Sequence, residues 1–458
     1  MSRPGGPIGR AAAAGPAAGR RYRAAVAAPH VLVIVQNLPV PLDRRVWLEC
    51  QALTAAGYEV SVICPKGPDD PPRAVLDGVH LYKYDPAPQA VGVAGYVWEF
   101  VYSWVRTAAL SAVVWRRRRF DVIQACNPPD TYWALATIWR ARGVRFVFDH
   151  HDLNPEVFLS RFGEPTGIAA RVQLAGLRWL ERRTFRAADE VISTNASYRR
   201  IALERGGVRP EHAAIVRSGP DTSAMTPVAA EPQLRRGHRH LVAYLGIMGP
   251  QDGVDGVLRV AERIVRHHGR DDVAFALLGF GDCLEDLQRQ TVELGLTDHV
   301  HFTGRVGPPE IAQYLSTAVV GVSPDPHSPL NDVSTMNKTM EYMAFALPVV
   351  TYRLTETVVS AGDCAVYVEP GDTDGFADAV LALVDDEDRR AELGARGRRR
   401  AEADLDWTAQ KQIYVGVYNR LFDRRSAAAD AAPAQPGPGR IDVADDSVLR
   451  RFAGSRTA

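Results

Sequence analysis

The stretch STMNKTMEYMAFALPVV, residues 334–350, sets a cation and an anion, Lys338 and Glu341, on the first turns of one short helix, next to Asn337. A helix start offers unpaired N–H groups and a partial positive charge, so it is a ready anion site. Lys338 adds a full positive charge there. Glu341 lies three residues on, near the same face, and its carboxylate can accept two hydrogen bonds from a vicinal diol. These types in this order suit a nucleotide: a diphosphate on the helix start and Lys338, ribose hydroxyls on Glu341. The plainer alternative is an (i, i+3) surface pair on a core helix.

Four other stretches carry residues of interest at strand ends. In FVFDHHDLNPEVF, residues 146–158, a strand runs directly into His150, His151 and Asp152, with Asn154 and Glu156 behind them. That group could contact a polyhydroxylated substrate, hold a metal, or serve packing and capping; no further ligand cluster accompanies it. In QNLPVPLDRRVW, residues 36–47, Asp43 can cap a helix whose first turn projects Arg44 and Arg45, toward solvent or toward a phosphate or acceptor. Gly246 closes LVAYLG, and Gly279 and Gly281 form a turn in LLGFGDCLEDL where backbone can approach a ligand closely. The third glycine of the dinucleotide fingerprint is missing, which argues against a nicotinamide oxidoreductase.

Alternating elements must position these residues. HVLVIVQ, YEVSVICP, VHLYKY, FDVIQAC, VRFVFDH and EVISTN read as buried strands with helical stretches between most of them. A Pro-rich, charged stretch over 226–240 then interrupts the pattern. It restarts with LVAYLGIMG, VAFALLGFG, HVHFTG, VVGVSP, LPVVTY and AVYVEP. The reading is α/β: two doubly wound domains, over 29–225 and 241–404, joined by a linker and facing a cleft. A helix over 405–425 follows, and an N-terminal arm (1–28) and a tail (426–458) are expected to be disordered.

Bulk properties narrow the class. At 458 residues the chain exceeds a single core. The 54 Lys and Arg balance the 54 Asp and Glu, so no global field favours nucleic acid. The five cysteines lie far apart without a CxxC pair, as in a reduced cytoplasmic protein without a zinc site. No run reaches the roughly 18 apolar residues of a membrane span. Residues 95–119, aromatic and apolar and ending in four arginines, read as a helix covering the first sheet or as a membrane-surface contact.

Taken in order, these motifs resemble a family 4 glycosyltransferase of the GT-B fold over residues 29–425. NKTMEYMAFALPVV is similar to the end of the family's donor motif, E-A-M-A-x-G-x-P-V-V, which implies that Glu341 binds the donor ribose. HHDLNP resembles the family's HD turn, placing His151 by the donor sugar with Asp152 beside it. IVRSGPD stands where the family often has IPNGVD, and DLDWTAQKQIYVGVYNRLF resembles the closing helix that crosses back to the N-terminal domain. The chain departs from the pattern at three places. The family's first acid, eight positions before Glu341, is Val333 here, with Asp332 as the nearest acid. The basic pair after the first C-domain strand is absent, and PVPLDRR replaces the first loop's glycine pair.

The resemblance implies a divergent glycosyltransferase, retaining and without a metal or other cofactor, that takes a nucleotide-diphosphate sugar as co-substrate. A glycan or lipid-linked acceptor would be its second partner, in cell-surface polysaccharide or glycolipid synthesis, with possible contact to the inner face of the membrane. His151, Asp152 and Asp332 would be catalytic; Lys338, Glu341, Asn337, Gly246, Gly279 and Gly281 would bind the donor. Arg44 and Arg45 are weaker candidates for phosphate or acceptor. A catalytically silent sugar-nucleotide-binding subunit, a two-domain oxidoreductase and an epimerase are the alternatives.

Overall fold

The structure is a computed structural model and describes residues 28–67, 69–88 and 92–422. The expected tail and all but the last residue of the expected arm lie outside them. Two sheets form. The first contains β1 (His30–Ile34), β2 (Glu59–Pro65), β3 (Arg73–Leu76), β4 (Val79–Tyr84), β5 (Val122–Cys126), β6 (Arg145–His150), β7 (Glu190–Ser193) and β8 (Ala213–Ile215). Its strand order is β3-β4-β2-β1-β5-β6-β7-β8, parallel throughout except for the β3–β4 pair. The second contains β9 (His240–Leu245), β10 (Val273–Leu278), β11 (Val300–Gly304), β12 (Val320–Ser323), β13 (Val349–Tyr352) and β14 (Ala365–Val368), in the order β11-β10-β9-β12-β13-β14. All its pairings are parallel.

The central strands are continuous apolar runs because helices cover both faces of each sheet. β1 and β10 are buried at every position. The order reverses at β1/β5 in one sheet and at β9/β12 in the other. Such switch points open a crevice at the carboxyl ends of the strands. The segments that follow those four strands carry Arg44 and Arg45 at a helix start and Asn127, Gly246 and Asp325 in loops, so topology alone concentrates these residues there.

Two crossings join the sheets. The first runs through residues 216–239, with one short 3-10 turn at Pro232–Arg235; His240, at the end of the expected linker, already belongs to β9. The second is the helix Trp407–Leu421, which buries Trp407, Tyr414, Val417 and Tyr418 in the core of the first sheet. The crossings touch backbone to backbone: a Cβ on Gly219 would lie 1.8 Å from the Leu405 carbonyl oxygen. Asp406 ties them by accepting from the Thr222 amide at 3.0 Å and its hydroxyl at 2.6 Å. The helix Gly92–Arg117 packs Tyr102, Trp104 and Trp115 on the first sheet and leaves Arg116 to Arg119 exposed.

The glycines after β9 and β10 are required by close approach. Gly279 has φ +146, and a Cβ there would sit 1.8 Å from the Gly246 carbonyl oxygen. Gly279→Ala is therefore expected to cost about 3 kcal/mol or more in chemical denaturation. Gly176→Ala, in open space on the helix Ile168–Ala187, should instead stabilise by about 0.5–1 kcal/mol.

Candidate active site

The second sheet's half of the site is built by the chain after β12. A loop and a 3-10 turn, Asn331–Val333, lead into the helix Asn337–Ala344. That helix starts two residues after Thr335, because Met336 is still extended and the Thr335 hydroxyl is taken by Asn195 Nδ2 at 3.0 Å. No side chain caps its first N–H groups, and Asn337 is exposed beside them. Lys338 is buried, with Nζ 2.6 Å from Asp325 Oδ1 and 5.4 Å from the Tyr244 ring centre. Burial works against the ammonium, but Asp325 and Asp252 outweigh it and hold its pKa above the ordinary lysine value. Gly246 leaves room for this side chain: a Cβ there would meet Lys338 Cε at 3.1 Å. Gly281, with φ +157, also passes close to backbone: a Cβ there would lie 2.6 Å from the Met248 carbonyl oxygen.

The first sheet's half is built by the loops after β1, β5 and β6. Asp43 caps the helix Arg44–Ala55 by accepting from the Val46 amide at 3.1 Å. Arg44 reaches across the cleft to Glu341, Nη1 to Oε1 2.6 Å. Arg45 turns inward rather than to solvent. Its guanidinium donates to Asp149 Oδ1 at 3.0 Å, Ser218 Oγ at 3.0 Å and the Val216 carbonyl at 2.9 Å, and lies 3.1 Å from Glu49 Oε1. Adjacent arginines thus serve the two halves of the site separately.

His151 and His150 have different environments. His151 Nε2 lies 2.6 Å from Asp149 Oδ2 and 2.8 Å from Arg45 Nε. Asn127, just after β5, holds the following turn: its Oδ1 accepts from the amides of His151 (2.7 Å) and Asp152 (3.1 Å), and its Nδ2 donates to the Asp152 carbonyl at 2.6 Å. Burial pushes the Asp152 carboxyl above its usual range. His150 is fully buried among Phe148, Phe185 and Tyr198, with ring centroids 5.0–5.4 Å away, and neither nitrogen has a partner. Burial first, then Arg205 and His151, lowers its pKa to about 3. It is a core residue.

Asp149 is fully buried, and burial alone would raise its pKa. The Arg45 and His151 charges reverse that and hold it well below the usual carboxylate range. Glu49, beside it, is driven well above its ordinary value by burial and by Asp149. Gln124 bridges both, donating to Glu49 Oε2 at 2.8 Å and Asp149 Oδ2 at 3.2 Å, while its oxygen accepts from Tyr414 at 2.7 Å and from Tyr418. Glu49, Cys126, Asp149 and His151 place four metal-capable atoms within 4.8 Å of one another. The Arg45 guanidinium lies against three of these residues, Glu49, Asp149 and His151.

Asp332 does not join these residues. Its carboxylate accepts from the Thr355 amide at 2.9 Å and hydroxyl at 3.0 Å, capping the helix Thr355–Ala361. The loop around it is seated against the first sheet's half, with Asn195 Nδ2 donating to the Val333 carbonyl at 2.9 Å and the Tyr198 hydroxyl 3.0 Å from Ser334 Oγ. Sequence reading missed Asp149, Gln124, Asn127 and Asp325. Asn127 directly follows β5 and Asp325 lies two residues after β12, so both answer to the same search of strand ends; Asp149 and Gln124 lie within strands and give no such signal.

Removing Arg45 leaves Asp149 charged and buried. Arg45→Leu is expected to destabilise by about 3–5 kcal/mol in denaturant unfolding, more than Arg45→Leu/Asp149→Leu together. His150 gives a pH test. Its folded pKa lies below the unfolded value of about 6.5, so its contribution is present above that pH and is lost as pH falls toward 3. The slope approaches about 1.4 kcal/mol per pH unit. His150→Phe keeps the ring packing and should raise stability by about 1–3 kcal/mol while flattening the acid limb of the pH–stability curve.

Known proteins share the fold and parts of the sequence. Residues 42–219 match the family described as "Glycosyl transferase 4-like domain" and residues 239–386 that described as "Glycosyl transferases group 1". The chain is 24% identical over 396 residues to the D-inositol 3-phosphate glycosyltransferase of Thermobispora bispora, covering 81% of this chain and 88% of that one. It is 25% identical over 273 residues to the MMP alpha-(1->4)-mannosyltransferase of Mycolicibacterium hassiacum, covering 56% of this chain and 63% of the relative. Among solved structures, sucrose-phosphate synthase from Thermosynechococcus elongatus superposes with a TM-score of 0.69 at 19% identity, over 87% of this chain and 100% of that one. Anabaena HepE in complex with UDP-glucose does so with a TM-score of 0.63 at 16% identity, over 86% and 99%.

Proposed function

The chain belongs to the family 4 glycosyltransferases and has their GT-B fold, and from that premise we propose that it moves a sugar from a nucleotide-diphosphate sugar to a hydroxyl of a glycan or lipid-linked acceptor. The observation that carries this reading is the pairing of Arg44 with Glu341 across the cleft, beside a helix start left uncapped. A carboxylate facing the cleft and an open row of N–H groups one turn away suit a ribose and its diphosphate.

In the proposed transfer the donor C1–O bond to the diphosphate breaks, a C1–O bond to the acceptor oxygen forms, and the acceptor hydroxyl's proton passes to the departing diphosphate oxygen. Negative charge grows on the departing diphosphate. The helix start at Asn337, Lys338 and Arg44 answer it with charge fixed in place before the reaction. Arg44 can turn from the Glu341 carboxylate to a phosphate, since its planar fork fits both oxyanions. Glu341 is then free for the ribose hydroxyls. The glycines at 246, 279 and 281 let backbone approach the donor. His151, oriented by Asp149 and Asn127, stands at the sugar, with Asp152 next to it. Asp332 acts as a positioning residue through Thr355. In this reading the chain's own cations do the work of a metal, and the anomeric configuration is retained.

Anabaena HepE, solved with UDP-glucose, and relatives named as mannosyl- and inositol phosphate glycosyltransferases favour a hexose donor and a role in glycoconjugate synthesis, here proposed to be cell-surface polysaccharide or glycolipid. No helix among the described residues is long and apolar enough to cross a membrane. Exposed Trp98, Val101 and Val105 on one helix and Ile168, Val172 and Trp179 on another, the latter interleaved with exposed Arg171, Arg178, Arg182 and Arg183, support peripheral contact with an anionic surface.

Thermal unfolding of wild type and Glu341→Ala with a panel of nucleotide diphosphates and their sugars tests the donor site. One base series should stabilise the wild type, and the variant should bind it about 10- to 100-fold more weakly. Equal protection of both proteins would remove Glu341 from the site. Protection without transfer to any of a broad set of acceptors would make the chain a binding subunit.

A further inference from the structure

At the amino ends of β9 and β12, on the far side of the second sheet from the donor loops, lies a cavity of about 340 Å³. Four arginines line it, Arg235, Arg239, Arg270 and Arg390, against two carboxylates, Asp385 and Glu387. β9 is six residues long, so about 20 Å separates this cavity from Gly246 at the other end of the strand. No residue assigned to the donor or acceptor lines it.

The arginines are unequal. Arg270 is fully answered: it makes paired contacts with Asp272 at 2.8 and 3.0 Å and with Asp385 at 2.9 Å on both oxygens. That removes Asp385 as a partner for the others. Arg390 donates to the Leu383 and Val384 carbonyls at 2.7 Å each, which fixes its guanidinium without neutralising it. Among the described residues, Arg235 and Arg239 have no ion-pair partner. Nε of Arg235 is buried and without any hydrogen-bond acceptor. His240, buried at the start of β9, has its pKa lowered by burial and then, against Asp272, by Arg239, Arg390 and Arg270. The cavity's positive charge therefore exceeds what the protein answers, and a buried donor stands open. An unmet buried donor of this kind costs stability unless a ligand meets it.

We propose that this cavity is a second anion site, taking an oxyanion of the phosphate class between Arg235, Arg239 and Arg390. Three guanidiniums from separate segments line one cavity, and the guanidinium fork matches oxyanions such as carboxylates and phosphates. Arg235 belongs to the 3-10 turn Pro232–Arg235 in the crossing between the sheets, and Arg390 to the helix Glu387–Arg400. A bound anion would fasten the crossing to the body of the second sheet.

The test uses the full chain and inorganic phosphate, titrated against chloride at constant ionic strength while thermal unfolding is followed. Wild type should rise by about 2 °C for each tenfold of phosphate above its Kd. Arg235→Gln/Arg239→Gln should lose that rise and keep its response to the nucleotide that protects the donor site. Arg239→Glu, at an exposed position where folding is not at stake, should lose it too. A rise that persists in both variants, or one that chloride reproduces, overturns the proposal. Co-sedimentation with phosphatidylglycerol vesicles separates the sources of phosphate: loss of binding in the double variant assigns a lipid-borne phosphate, and unchanged behaviour a free one.

Discussion

The Arg45 guanidinium, buried between Asp149, Glu49 and His151, is the constraint around which the first half of the site is organised. Two carboxylates and an imidazole this close would repel or neutralise one another without a cation between them. Arg45 settles the arrangement: Asp149 keeps its charge, Glu49 is pushed toward its neutral form, and Nε2 of His151 is directed at Asp149. A lysine would not do this. It lacks the fork that reaches Asp149, Ser218 and the Val216 carbonyl at the same time.

The same network explains why the C-terminal helix returns to the first sheet. Gln124 uses its amide nitrogen on the two carboxylates and its oxygen on Tyr414 and Tyr418, so one side chain couples the buried charges to the helix Trp407–Leu421. The helix is amphipathic in an unusual sense, since two of its core-facing residues are tyrosines. Their hydroxyls are what a buried amide oxygen needs, and phenylalanines there would leave it unsatisfied. Fold and site are connected at this point by hydrogen bonds, beyond any apolar area.

Much of this was legible in the sequence, and the limits have physical causes. The twelve expected strands all form, because runs buried on both faces carry a signal independent of tertiary contact. β3 and β8 escaped notice: one is an exposed antiparallel edge and the other is three residues long. Lys338, Glu341, His151 and Arg44 were visible because they sit at helix starts and strand ends, where polar residues stand out. Which partner each one takes was not visible. Lys338 is held by Asp325, thirteen residues earlier, and Arg44 by Glu341, in the other half of the chain. Asp149 and Gln124, inside strands, differ from structural polar residues only by what packs against them.

The contacts between the two halves gather on one side of the cleft. From the second half they come from Leu330, from residues 333–341, from the turn Pro250–Asp252 against the helix Asn154–Phe162, and from Glu356, which accepts from the Ser197 amide at 3.2 Å and lies 3.8 Å from Arg217. From the first half they come from Arg44 and from the start of the helix Ala196–Glu204, with Arg217 of the first crossing beside them. These are polar contacts with one small apolar cluster of Leu153, Tyr198 and Leu330, the kind of interface that can be broken and remade. The two crossings are different. Gly219 lies against the Leu405 carbonyl with no room for a side chain, and Asp406 binds Thr222 from the other strand of the chain. The crossings are therefore joined where backbone meets backbone, at Gly219 and Leu405, whereas the loop at 333–341 meets the first half through side-chain hydrogen bonds. That loop leads into the helix bearing Lys338 and Glu341, so the segment that meets the first half through Asn195 and Tyr198 also carries the partner of Arg44.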